Sequence, residues 1–225
     1  MNRNAAMQII FINFLERSND CYIKHEKRKV CTLSLKSRFA EAGFSYYCED
    51  VLCFNDVEES VFTLLYALNK SAERPLVYVC IGTDKATGDC LGPLVGSKLK
   101  TMLPTANVYG TLKDPLHAVN LQANIEAIQK LLLDPFIIAV DACLGNAERV
   151  GFINIKPGGL LPGSALQKSL PYVGDFHISG VVNVAGCFDH LVLQNTRLFL
   201  VDRMATIIAK SLYMANYRFI QANTK

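Results

Sequence analysis

Short continuous apolar runs alternate along this chain with longer stretches in which apolar residues recur every three or four positions. LVYVCIGT, from Leu76, and PFIIAVDA, from Pro135, are apolar on both sides of the pleat. That pattern belongs to central strands covered on both faces. NVYGTL and VGFINIKP read as two further strands. In DVEESVFTLLYALNK the residues Val57, Val61, Leu64, Leu65 and Leu68 keep helical spacing, with Asn55 or Asp56 as the expected N-cap. PLVGSKLKTML opens a second helix with Pro93 in its first turn. Asp114 and Pro115 then break the chain, and HAVNLQANIEAIQKLLL forms a long amphipathic helix. A last helix is expected from about Asp189 to Asn216, patterned by Leu193, Leu198, Leu200, Val201, Met204, Ile207 and Ile208. SGVVNVAG fits either a short strand or a turn into a helix. PGGLLPGSALQKSLPYVGD is rich in Gly and Pro and reads as a loop. Strands alternating with helices predict an α/β fold of three layers.

Length adds a domain count. A chain of 225 residues holds one sizeable α/β domain. It is placed at 51–225, behind an N-terminal segment, 1–50, whose pattern selects neither helix nor strand. Half the chain is hydrophobic (51%), which argues against extended disorder. The formal net charge is +3, so a dedicated nucleic-acid binder is not expected. The basic run Lys24, Lys27, Arg28, Lys29, Lys36 and Arg38 reads as solvated surface. Eight cysteines are scattered without C-x-x-C or zinc-type spacing, which suits free thiols in a reducing compartment. No apolar stretch has the length of a membrane span. Met7 to Leu15 makes a poor signal peptide, since it contains Gln8 and Asn13 and lacks a small-residue cleavage site. The expectation is a soluble cytoplasmic protein.

Candidate chemistry gathers at two strand ends. Ligands of α/β sheets bind at the carboxyl ends of strands. The loop after LVYVC holds Thr83, Asp84, Lys85, Thr87 and Asp89 between Gly82 and Gly92. Asp89 directly precedes a helix, whose unpaired N–H groups favour an ionised carboxylate there; it could equally be a plain N-cap. Asp141 follows four apolar residues in a strand that should be buried, where a carboxylate costs free energy unless it is paired or hydrogen-bonded. The amides of Leu144 and Gly145 could satisfy it. If Asp89 and Asp141 face each other, one proton is shared and a water can be activated. The same pair could hold a divalent metal with His177, read as a loop residue after Asp175, as third ligand. His117 is expected to flank its helix and His190 to lie in the first turn of the last one. Cys90 and Cys143 make poor nucleophiles, because neighbouring carboxylates raise a thiol pKa. GTDKATGD matches neither G-x-x-x-x-G-K-[ST] nor G-x-G-x-x-G; after Gly88 comes Asp89 where a phosphate loop needs lysine. Asp84 and Thr87 also fit simple loop-stabilising hydrogen bonds.

IGTDKATGDCLGPLVGSKL, VYGTLKDPLHAVNL, AVDACLG, PGSALQKSLPYVGD, GVVNVAG and LQNTRL, in this order, resemble the YyaC family of sporulation proteins over about residues 76–213. That family is similar, more distantly, to the spore germination protease and the hydrogenase maturation endopeptidases. The resemblance implies a phosphorylase/hydrolase-like αβα sandwich with a mixed sheet. It implies a catalytic pair at Asp89, within Gly88-Asp89-Cys90-Leu91-Gly92-Pro93, and Asp141, within Val140-Asp141-Ala142-Cys143. Pro162-Gly163-Ser164 matches the protease's P-G-S-G loop, with Ala165 in place of the last glycine. Thr83, Asp84, Gly88, Gly163 and Ser164 are thereby expected to line the substrate cleft. The endopeptidases bind nickel through two acidic residues and a histidine, which would make Asp89, Asp141 and His177 ligands of a divalent metal such as nickel or zinc. The chain is much shorter than the germination protease, so that enzyme's oligomer and substrate do not carry over. The expectation is a sporulation-associated, peptidase-like hydrolase in the forespore or spore core, acting on a protein or peptide. It needs neither nucleic acid nor membrane, and homo-oligomers stay open. The alternative is a non-catalytic protein binding a peptide or metal on the same scaffold.

Overall fold

The computed structural model describes residues 43–69, 72–162 and 172–224. The chain divides into units Met1–Leu35 and Lys36–Lys225, and all described residues belong to the second. Met7–Leu15, the basic run and the expected cleft residues Gly163 and Ser164 lie outside the described residues.

Six strands form one mixed sheet in the order β1-β5-β6-β4-β2-β3. They are β1 (Phe44–Tyr47), β2 (Leu76–Cys80), β3 (Asn107–Tyr109), β4 (Phe136–Gly145), β5 (Phe152–Pro157) and β6 (Phe176–Val184). β3, β2, β4 and β6 run parallel, whereas β5 pairs antiparallel with both β6 and β1. The described helices are α1 (Cys53–Leu68), α2 (Leu91–Met102), α3 (Leu121–Leu131), α4 (Asp189–Gln194) and α5 (Leu198–Asn223).

The apolar runs fold as central strands because both their faces are covered. On one face Tyr78, Cys80, Ile138, Val140 and Ile178 are buried against the layer of α1, α2 and α5. On the other, Val77, Val79, Ile137 and Ala139 meet Leu121, Ile125 and Ile128 of α3. Those three residues lie at spacings of four and three, one face of a helix. Each contributes about 1.5–3 kcal/mol over an exposed position, and a polar residue at Ile128 would break this layer. The arrangement is the expected three-layer αβα sandwich with a mixed sheet. No described helix is long and apolar enough to cross a membrane.

Several boundaries differ from expectation. α1 starts at Cys53, with Leu52 as N-cap and no side-chain cap, so Asn55 and Asp56 lie inside the helix. The buried Cys53, reached through a turn from Asp50, sets that start. The last helix is split at 195–197. There Thr196 Oγ1 donates to the Val192 carbonyl at 2.8 Å while the Thr196 N–H turns to the Leu193 carbonyl, and Asn195 Nδ2 adds a bond to the Leu191 carbonyl, so local side chains compete with the helical pattern. SGVVNVAG belongs to strand β6, which also takes in His177; that residue is not in a loop. β1 extends the sheet from inside the N-terminal segment, where pattern alone selects no element.

Candidate active site

β2 ends at Cys80, and the chain leaves the sheet at its carboxyl edge. Ile81 N donates to the Val140 carbonyl and Gly82 N to the Leu116 carbonyl, both at 2.7 Å. Gly82 has φ +139°, and a Cβ there would lie 2.0 Å from the Asp89 carbonyl oxygen, so only glycine lets the loop fold back this tightly. A short 3-10 turn, Gly88–Cys90, leads into α2. Gly92 fits the helix start against β2, where a Cβ would meet the Ile81 oxygen at 2.0 Å.

This loop presents Asp89 half-buried. Its Oδ2 accepts the Thr83 N–H at 3.0 Å, and its carbonyl accepts the same group at 3.2 Å. The N-cap of α2 is Cys90, with no side-chain cap, so Asp89 closes its loop instead of capping the helix. Burial pushes the Asp89 carboxyl up from the usual carboxylate range; the Thr83 N–H and the charges of His117 and His190 oppose that rise.

Asp141 is the first β4 residue beyond the last pair with β2, Cys80↔Val140, and its partner on β6 is Ser179. Its Oδ1 accepts the Ala142 N–H at 2.8 Å; Leu144 and Gly145 continue the strand. The residue keeps some solvent contact, but protein surrounds its carboxyl. Burial first, and the charge of Asp89 second, push its pKa well above the ordinary value. Repulsion within the pair therefore falls on the more enclosed partner. Both carboxyls are thus pushed toward the protonated form, and repulsion favours one proton held by the pair.

The other expected residues are placed as follows. Thr83 holds Asp89 through its N–H, and Asp84 is exposed on the same loop. Gly88 is buried beneath α4, with Leu193 Cδ2 at 2.7 Å and Thr196 Oγ1 at 2.9 Å from where a Cβ would stand. His177 pairs with Ala139, two residues before Asp141 and so on the same face, but its Nδ1 donates to the Gly158 carbonyl at 2.8 Å. Burial lowers the His177 pKa, and the charge of Lys156 acts in the same direction. Among the described residues no three His, Cys, Asp or Glu side chains are grouped to hold a metal ion. Asp89, Asp141 and His177 thus do not form an assembled three-ligand set. Burial, followed by nearby aspartates, raises the Cys90 thiol; burial also dominates at Cys143, where a Ser179 hydrogen bond opposes it.

Two residues near Asp89 carry no sequence signal beyond their place as helix flanks. His117 is carried there by the Ile81↔Leu116 bridge and fixed by Asn120 Oδ1, which accepts its N–H at 2.8 Å. His190 rides on α4, which Asn183 ties to β6 through the Val192 carbonyl and Thr196 Oγ1. No local motif marks either, because both reach Asp89 through tertiary packing.

Comparison with known proteins gives three findings. Residues 53–211 match the family described as "Protein of unknown function (DUF1256)". The chain is 56% identical over 151 residues to the "Uncharacterized protein YyaC" of Bacillus subtilis (strain 168), covering 67% of this chain and 74% of that protein. Among solved structures it is similar to the NiFe hydrogenase maturation protease HycI from Thermococcus kodakarensis KOD1, with a TM-score of 0.46 and 16% identity, over 66% of this chain and 97% of the other.

Proposed function

The chain belongs to the DUF1256 family of unknown function, and we propose that it is a peptidase-like hydrolase working through Asp89 and Asp141. One observation carries this reading. Asp89 and Asp141 stand at the carboxyl ends of the neighbouring strands β2 and β4, near enough that the charge of Asp89 opposes ionisation of Asp141. A structural carboxylate is usually held by several donors or a cation; among the described residues Asp141 accepts only the Ala142 N–H.

In the proposed reaction Asp89, ionised, takes a proton from water, and the water oxygen attacks the peptide carbonyl carbon. Asp141, protonated, donates a hydrogen bond to the carbonyl oxygen as negative charge develops there. The proton held by Asp89 then passes to the leaving amine as the C–N bond breaks. Thr83 orients Asp89 through its N–H. Gly163 and Ser164 are proposed to line the cleft by the resemblance alone. A sporulation setting, in the forespore or spore core, also belongs to this proposal.

The test is incubation of the full chain with a mixture of bacterial peptides, followed by mass spectrometry of new termini. Wild type should generate them, and Asp89→Asn and Asp141→Asn should each lose about 10²-fold or more in rate. Cleavage retained in both variants sinks the mechanism. A second reading is peptide binding without catalysis, favoured by the fact that each carboxylate already accepts an N–H near it in sequence. It predicts peptide binding with no new termini.

A further inference from the structure

Among the described residues, the α3 layer covers only part of its sheet face. The apolar cluster beneath α3 draws strand residues from β2 and β4, and none from β1, β5 or β6. Alternation on the latter strands turns Ser45, Tyr47, Phe152, Asn154, Lys156, His177 and Ser179 to that same face. There Ser45, Tyr47 and Lys156 are exposed, and Phe152, Asn154, His177 and Ser179 half-buried. Asp141 stands at the border of this open area.

We propose that this half-face, which no described helix covers, binds an acidic side chain of the peptide substrate through Arg149 and Lys156. The inference rests on the hydrolase reading for its orientation, since it places the scissile bond at Asp141. Three observations support it. First, neither Arg149 nor Lys156 forms an ion pair among the described residues, whereas Arg74, Lys98 and Arg218 all do. Second, Arg149 is held flat. Its guanidinium lies 4.0 Å over the Phe152 ring, and its NH2 donates to Ser45 Oγ and, at 3.3 Å, to Asn154 Oδ1. Those contacts engage NH2, which is part of both fork edges of the guanidinium, and leave NH1 and Nε without a partner among the described residues, so a carboxylate would be met there by single N–H donors and the positive charge. Third, Lys156 is exposed on the same face as Asn154, its stem lying over Gly43 with Cε 3.3 Å from where a Cβ would stand.

Spacing fits the reaction site. Asp141, Ser179 and Asn154 are register partners on β4, β6 and β5. Two strand spacings, about 10 Å, therefore separate Asp141 from Asn154, which Arg149 contacts, and Lys156 lies two residues further along β5, a span an extended peptide covers in about three or four residues. The recognised acid should lie about two to four residues from the scissile bond.

Binding can be read separately from cleavage. Full chain carrying Asp89→Asn is titrated into fluorescein-labelled decapeptides of alternating Ala with Glu, Ser or Lys, followed by anisotropy at low salt. The Ala-Glu peptide should bind about tenfold tighter than the Ala-Ser peptide, and the Ala-Lys peptide more weakly than either. Lys156→Ala should weaken the Ala-Glu complex about three- to fivefold, and Lys156→Glu about tenfold or more. Arg149→Gln, which loses the charge but keeps donors, should act like Lys156→Ala. An acid preference surviving Lys156→Glu together with Arg149→Gln would come from elsewhere, for instance the basic run Lys24–Arg38, and would overturn the proposal. Equal binding of the Glu and Ser peptides overturns it too. Cleavage by wild type with no acid preference defeats only this surface, and acid binding without cleavage defeats only the hydrolase reading.

Discussion

Replacing Asp141 by asparagine tests the coupled pair through stability alone, with no substrate needed. Burial and the charge of Asp89 both push the Asp141 carboxyl well above its ordinary value. In the unfolded chain it returns to about 3.9. The folded protein therefore holds this proton more tightly than the unfolded one. The associated stability is fully present below the unfolded value and is lost as pH rises through the folded one. Above both, every tenfold difference in proton affinity between the two states costs about 1.4 kcal/mol. Asparagine cannot ionise, and its Oδ1 can still accept the Ala142 N–H. Asp141→Asn should therefore match wild type near about pH 4 and exceed it near about pH 8. For a domain of this size, each tenfold step recovered raises Tm by about 3–5 °C. Asp89→Asn removes the repulsion, so the gain from Asp141→Asn should shrink in that background, a non-additivity that a double-mutant cycle reads directly. The assay is thermal unfolding of the four proteins from about pH 4 to about pH 8. A Tm difference that does not grow with pH, or strictly additive effects, would refute the coupling.

Other changes probe the frame around the pair. Gly88→Ala puts a methyl against Leu193 and Thr196, so urea unfolding should show a loss of about 1–3 kcal/mol as α4 is pushed off the turn. Gly110→Ala should cost at least as much, because φ is +84° and the Cβ would fall 1.8 Å from the Cys80 carbonyl oxygen; the same denaturation assay checks it. Arg74→Met leaves Asp175, bonded to it at 2.6 Å, without its cation, and should lower stability by about 2 kcal/mol at neutral pH. Tyr78→Phe removes a buried hydroxyl with no hydrogen-bond partner among the described residues, so chemical denaturation should find it neutral or stabilising by about 1 kcal/mol.

The local frame of the site is legible in the sequence because one kind of signal repeats there. The apolar run Leu76–Cys80, the glycines of its loop and Pro93 place a strand, a turn and a helix in register, and packing has no reason to override them. Asp141 is legible for the opposite reason, as a carboxylate at the end of four buried residues. Pattern fails where side chains compete with the backbone. Asn195 and Thr196 break a helix that Leu193 and Leu198 would have carried through. It fails again where partners are far apart in sequence. Arg74 ties the start of β2 to Asp175 before β6 and to the Asp134 and Pro135 carbonyls before β4. Nothing near Arg74 announces this.

These failures bear on function. The Arg74–Asp175 bond clamps the amino ends of β2, β4 and β6, with Asp175 also accepting the Ile137 N–H at 2.8 Å. The opposite, carboxyl end carries the unfavourable pair of carboxylates. A strand order fixed at one edge lets destabilising charges be held at the other, as is common where a site is arranged for chemistry. The two ends should then respond differently. Loss of Arg74 should lower stability at neutral pH, whereas neutralising Asp141 should raise it. A chain whose carboxylates served only structure would lose stability from both.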